Sequence, residues 1–358
     1  MEPVIGQNFQ RLLDHLDGVA DQSTNIPSGQ TLDIRQWFNY FTLDVIGDMA
    51  FGLPMGFLGN GGDATRAKSA GRQEYCIPST IDTLHRGTRL STTLAQLSSI
   101  RCVKLAKRLC NTTNWLKQST GAQDRSQQDF MSKILKDREG KDRGLSFERL
   151  LSESIVFMNA GSETTAAALS STLYFLLSNR KCFEKLRAEI DARLGPNHDG
   201  IVSYDSAKDL PYLRACIDES LRLRPPIAYA LQRLVVCPQG AIIAGHHIKQ
   251  GTTVAVSPWT IHRNRKLYKN PDEFDPERWF DPEQLSNLRR YYIVFSQGPR
   301  QCLGRHIAIV EQQILISTMV RRYNMYLADQ EMNFVIFDRF NSNPGPLSVK
   351  VERRVFVD

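Results

Sequence analysis

Ten residues, Phe295-Ser296-Gln297-Gly298-Pro299-Arg300-Gln301-Cys302-Leu303-Gly304, constrain this chain more than any other stretch. Gly298-Pro299 is turn chemistry, because glycine reaches backbone angles closed to other residues and proline fixes its own. Downstream, Ile307, Val310, Ile314, Leu315 and Thr318 recur at helical spacing, which predicts a helix from about Leu303 to Tyr323. Cys302 therefore sits at a helix start, where free backbone N–H groups and the positive end of the helix dipole favour a thiolate. The bland alternative is a buried cysteine in a Gly-Pro loop.

The other cysteines do not share this setting. Seven in 358 residues is an odd count without a CxxC pair, which argues against a disulfide framework and a structural zinc. Cys76, Cys102, Cys110, Cys182, Cys216 and Cys237 read as reduced, mostly buried thiols. At 41% apolar and 23% charged the chain can bury a core. Its net charge of +7 is scattered, with no run of five basic residues, so nucleic acid is a poor partner and an acidic protein a better one. Ile155–Leu177 is the most apolar long stretch, but Asn159, Glu163 and several Ser/Thr interrupt it. It predicts a buried helix and no transmembrane segment. His246-His247 reads as exposed, His262 as bonded locally, and no HExxH spacing occurs.

The patterning predicts a mainly α chain with a small β region. Helices are expected over 2–18, 31–51, 64–84, 91–118, 147–178, 180–194 and from Pro211 to Pro225-Pro226, with Ser146 capping the long one. A polar surface connection fills 119–145 around a short helical piece. Strands are expected at 231–236, 241–244 and 252–256, a proline-rich loop at 264–283, and further strands in 330–357 around the turn 343–346.

Two motifs precede the cysteine loop. In Ala160-Gly161-Ser162-Glu163-Thr164-Thr165, Gly161 weakens helical packing and the Thr164 hydroxyl can compete for backbone carbonyls, which together would permit a kink. Glu219-Ser220-Leu221-Arg222 puts a carboxylate and a guanidinium on one helix face, and Pro276-Glu277-Arg278-Trp279 follows. Alone, such a pair is an ordinary solvated one.

In this order and at these intervals the motifs resemble those of the cytochrome P450s, haem-thiolate monooxygenases. Phe295–Gly304 matches FxxGxRxCxG at every fixed position, Ala160–Thr165 resembles AGx(D/E)T(T/S), and Glu219–Arg222 is the ExxR. The resemblance implies a P450 fold holding heme b (iron protoporphyrin IX) between the 147–178 helix and the cysteine loop. Cys302 would be the axial iron ligand. Arg300 and Arg233 would hold propionates, Gly298, Gly304 and Gly161 would allow close approach, and Phe295 would shield the sulfur. Thr164 would act at the oxygen site with Glu163 beside it in proton delivery, and Glu219, Arg222 and Arg278 would form a structural triad. Ile227–Leu231, Phe157 and the turn Asn341–Pro346 would line the substrate pocket.

The stretches 44–52 (DVIGDMAFG) and 257–279 resemble fungal members of the eukaryotic microsomal type that act in specialised metabolism. The implied function is oxidation, most simply hydroxylation, of an apolar small molecule with dioxygen. Electrons would come from NADPH through an acidic cytochrome P450 reductase facing Arg289, Arg290 and Arg305. Complete relatives lie on the cytoplasmic face of the endoplasmic reticulum. Residues 1–358 are expected to form a single P450 domain lacking the N-terminal anchor, first strands and first helices, as a truncated product or through a misannotated start. Such a chain would be cytoplasmic or in peripheral membrane contact. The WxxxR propionate clamp would also lie outside, since Trp37 is followed by Phe38-Asn39-Tyr40-Phe41. The alternatives are an inactive truncated relative that holds haem poorly, and a haem-thiolate isomerase or dehydratase.

Overall fold

The computed structural model describes residues 1–23, 31–52, 55–63, 65–68, 74–77, 81, 129–196, 198–338 and 341–356. Its helices of ten or more residues are α1 (Glu2–Ser23), α2 (Ile34–Phe51), α3 (Phe147–Ser178), α4 (Arg180–Leu194), α5 (Pro211–Leu223), α6 (Pro282–Tyr291) and α7 (Arg305–Arg322). Three strands, β1 (Thr31–Asp33), β2 (Tyr323–Leu327) and β3 (Ser348–Arg353), form an antiparallel sheet in the order β1-β3-β2. Thr31 sits opposite Lys350 and Val351 opposite Met325. The remaining strands form two-stranded hairpins or pairs, among them Arg233–Leu234 with Thr253–Val254 and Ile336–Asp338 with Ser342–Pro344.

Local chemistry sets the helix ends. Ser146 accepts from the N–H of Arg149 and starts α3. Pro211 opens α5, where its missing N–H costs nothing, and α5 stops at Leu223, ahead of Pro225. The expected helix over 31–51 begins only at Ile34. Asp33 caps Arg35 and also accepts from Leu347, so Thr31–Asp33 is held as a strand against β3. The expected helix over 64–84 is corrected: Thr65–Lys68 and Glu74–Ile77 pair as an antiparallel hairpin. The helix expected over 91–118 lies outside the described residues, as does the first part of 119–145.

The core is one cluster that joins Phe9 of α1, Phe41 of α2, Leu169 and Leu173 of α3, Ile217 of α5 and Leu315 and Met319 of α7. Each such side chain stabilises by roughly 1.5–3 kcal/mol when fully buried. Charge ties close the base: Asp17 of α1 pairs with Arg322 at 2.8 Å and Arg353 at 2.7 Å and accepts from the Tyr323 hydroxyl at 2.6 Å. Among the described residues no helix is long and apolar enough to cross a membrane.

Candidate haem-thiolate site

The Glu219–Arg222 spacing delivers a buried ion cluster. Arg222 grips Glu219 with Nε and Nη2, both at 2.9 Å, and Arg278 donates Nε to the same carboxylate at 2.8 Å. The indole of Trp279 adds a bond at 3.1 Å. The two remaining Nη1 donors of Arg222 go to the carbonyls of His262 and Pro271, and its last Nη2 donor to Glu273. All five guanidinium N–H groups are thus used. This is what makes the burial tolerable: a buried ion pair repays its desolvation only when its other bonds are satisfied. The triad nails the loop between 262 and 279 onto α5.

His262 extends that loop toward the cysteine. It is fully buried. Its Nδ1 faces the Arg222 carbonyl at 3.1 Å, and its Nε2 accepts the Ile293 N–H at 3.1 Å. Sequence reasoning had assigned it only a local bond; the partner at Ile293 lies beyond α6, and no periodicity announces it.

The cysteine loop begins there. Ser296 donates its N–H to Ile293 O at 2.9 Å, and Cys302 donates its N–H to Phe295 O at 2.8 Å, closing the loop on itself. Gly298 sits at φ 72°, which explains the glycine, and Ser296 at φ 58° shares that left-handed region. Phe295 is half-buried against the core, with the Arg305 guanidinium 5.7 Å from its ring centroid. Cys302 is exposed to solvent as a residue, with its thiol partly covered by the loop. Partial burial pushes that thiol up, while the N–H groups of Gly304 and Arg305 and the Arg305 charge pull it down. The helix start therefore favours the thiolate, as the sequence implied, but does not carry the balance.

On α3 the described run stays helical through residues 160–165. Thr164 donates its hydroxyl to Ala160 O at 2.6 Å, and Ser162 does the same to Met158 O. Both satisfy carbonyls within the helix and leave its run unbroken. Glu163 is buried. Gly161 faces α2, where Ile46 packs directly on its Cα. Val156, Ala160 and Thr164 share one face at four-residue spacing, with Val156 57% exposed.

Arg233 lies in a strand pair with Thr253–Val254 and bonds only the Gln232 carbonyl among the described residues. Arg300 is exposed in the short 3-10 turn Gly298–Arg300. Ser342 donates its N–H to Pro226 O at 2.8 Å, which brings the turn 341–346 against the segment 227–231. Phe157 packs on Phe130, ring centroids 5.8 Å apart. A surface cleft of about 650 Å³ beside the cysteine loop is lined by Arg214, Trp279, Arg289, Tyr292 and Arg305 among others.

These residues suit a haem. The thiol is accessible, Leu303 beside it is 97% exposed, and a Cβ on Gly298 or Gly304 would meet nothing within 4 Å. Arg300 and Arg233 have no carboxylate partner among the described residues, so both guanidinium groups are available to propionates.

Comparison with known proteins agrees. The Cytochrome P450 family model matches residues 1–351. Cytochrome P450 monooxygenase aba2 of Botryotinia fuckeliana is 30% identical over 90% of this chain and 62% of its own length. Averantin hydroxylase of Dothistroma septosporum is 31% identical over 89% of this chain and 60% of its own length. Trichothecene C-15 hydroxylase of Fusarium sporotrichioides is 28% identical, over 92% and 65%. The chain thus spans about three-fifths of the length of these curated relatives. The crystal structure of the cytochrome P450DA heme domain matches with a TM-score of 0.74 at 21% identity, covering 99% of this chain and 75% of that one. Motifs, fold and family model coincide, and the chain belongs to the cytochrome P450 family.

Proposed function

We propose that this chain is a haem-thiolate monooxygenase that hydroxylates or otherwise oxidises an apolar small molecule in fungal specialised metabolism. The observation that carries this reading is the Cys302 loop: a thiol held open at a helix start by its own backbone bond to Phe295. Relatives named for hydroxylating averantin and a trichothecene support the reaction class. When bound, haem b supplies the electron-transfer and dioxygen chemistry.

Cys302 is the iron ligand, and Arg300 and Arg233 hold the propionates. Val156 and Ala160 give the Thr164 face of α3 an exposed apolar surface that would exclude water once covered. The Thr164 hydroxyl holds a proton at Oγ1, which it must release from Ala160 O to pass onward. Buried Glu163, its neighbour in sequence, is the source that resupplies it. Residues 227–231 and 341–346 contribute to the substrate pocket.

Electrons come from NADPH through a reductase whose acidic surface meets Arg289, Arg290 and Arg305, two of which rim the cleft beside the cysteine loop. A full-length relative would work at the cytoplasmic face of the endoplasmic reticulum, and this chain in the cytoplasm or in peripheral membrane contact.

The test is the reduced, carbon-monoxide difference spectrum of the 358-residue chain expressed with haem precursor. A strongly red-shifted Soret band supports the reading; haem without thiolate character, or no haem, overturns it.

A further inference from the structure

His262 ends the short helix Pro258–His262 and has no exposed surface. Both edges of its ring are engaged. A backbone N–H can only donate, so the bond from Ile293 requires an unprotonated Nε2. The ring proton must then sit on Nδ1, where it donates to the Arg222 carbonyl. That carbonyl lies in the last turn of α5, where intrahelical partners run out. Its side chain is the hub of the Glu219 cluster, so the imidazole is anchored on the most firmly fixed element nearby.

The other edge reaches backbone that lies outside any helix or strand. Ile293 is the second residue beyond α6, where the chain leaves the helix for the cysteine loop. Two backbone bonds then lead to the thiol, Ser296 N–H to Ile293 O and Cys302 N–H to Phe295 O. The ring of Tyr292 stacks on His262 at 5.8 Å, and the Tyr292 hydroxyl donates to Asp218 of α5 at 3.0 Å. Residues 292 and 293 are thus docked on α5 by one side-chain bond and one imidazole bridge.

We propose that His262 is a positioning residue for Cys302: its neutral Nδ1–H tautomer fixes the Ile293 N–H and so sets where the thiol-bearing loop leaves α6 relative to the triad. The proposal rests on Cys302 being the haem ligand. Burial, with the Arg222 and Arg263 charges beside it, pushes the imidazole down to about 3, so the acceptor edge is present at any ordinary pH. Tyr268 and Tyr292 complete its surroundings and bring no negative charge. A ring of similar size without nitrogens would keep the stacking but strand two buried backbone groups.

The experiment compares the wild type, His262→Phe and His262→Gln as haem-loaded full chains. Hydrogen exchange is followed by mass spectrometry on peptides covering residues 293–302, and the carbon-monoxide spectrum is followed over time. His262→Phe should speed exchange in that segment roughly tenfold while α1 and α3 stay protected, and its red-shifted band should decay faster. His262→Gln, whose amide oxygen reaches the Ile293 N–H, should recover most of both. Equal exchange across the whole chain, or a glutamine variant no better than phenylalanine, overturns the proposal. Should His262→Phe fail to fold, His262→Gln against His262→Asn reads the same contrast, since asparagine falls short of Ile293. Local protection by His262 in a chain without a thiolate spectrum supports its hold on the loop while removing the haem reading.

Discussion

A Cβ on Gly161 would stand 2.7 Å from both Cγ1 and Cδ1 of Ile46, closer than side chains can pack. The glycine of the Ala160–Thr165 motif is therefore the seat of the α2–α3 contact. Gly161→Ala should destabilise the chain by about 1–3 kcal/mol through overpacking. In an Ile46→Ala background the same change should cost less than half as much. Urea unfolding of the four proteins checks this, and an unchanged cost would remove Ile46 as the cause.

Glu219 holds two buried guanidinium groups. Glu219→Ala leaves both uncompensated and should cost about 3–5 kcal/mol, seen as loss of soluble, folded protein. Glu277→Ala breaks the exposed pair with Lys185 and should cost less than about 1 kcal/mol. Similar losses in the two variants would deny the cluster its scaffold role.

Glu311 of α7 is buried, and desolvation pushes its carboxyl up to about 8. The unfolded chain releases this proton near the ordinary 4.5, the folded chain only near 8. The folded state thus holds the extra proton between these values, and stability falls as pH rises through that window. Glu311→Gln should flatten this slope and raise stability at pH 7 by about 3 kcal/mol. Denaturation midpoints at pH 5 and pH 8 read the difference; identical slopes would contradict it.

Cys302→Ser should abolish the thiolate signature in the carbon-monoxide spectrum while leaving the far-ultraviolet circular dichroism intact. A persistent red-shifted band would exclude Cys302 as ligand.

Thr164→Ala removes the hydroxyl now bonded to Ala160 O and should uncouple electron consumption from product formation. Thr164→Ser should retain coupling. Product formed per NADPH consumed measures it, and normal coupling in the alanine variant would end the proton-handling role.

Much of this was legible in the residues. The i,i+3 spacing of Glu219 and Arg222, Pro211 at a helix start, Ser146 as a cap and Gly298 in a turn are local signals, and each emerged where expected. What stayed hidden depends on distant chain. The carbonyls of Pro271 and Glu273 that complete Arg222 carry no side-chain signature. The His262–Ile293 bond spans 31 positions. Helical periodicity around residues 64–84 lost to strand pairing of 65–68 with 74–77.

The ties between Asp17 and Arg322, Arg353 and Tyr323 also bear on how the protein is made. The bond from Arg322 crosses 305 positions and that from Leu347 to Asp33 crosses 314. On the ribosome α1 emerges 305 positions ahead of the arginine that pairs with its Asp17. Until β3 emerges the seat of α1 is unfinished, and pairing over such separations favours slow assembly and reliance on chaperones.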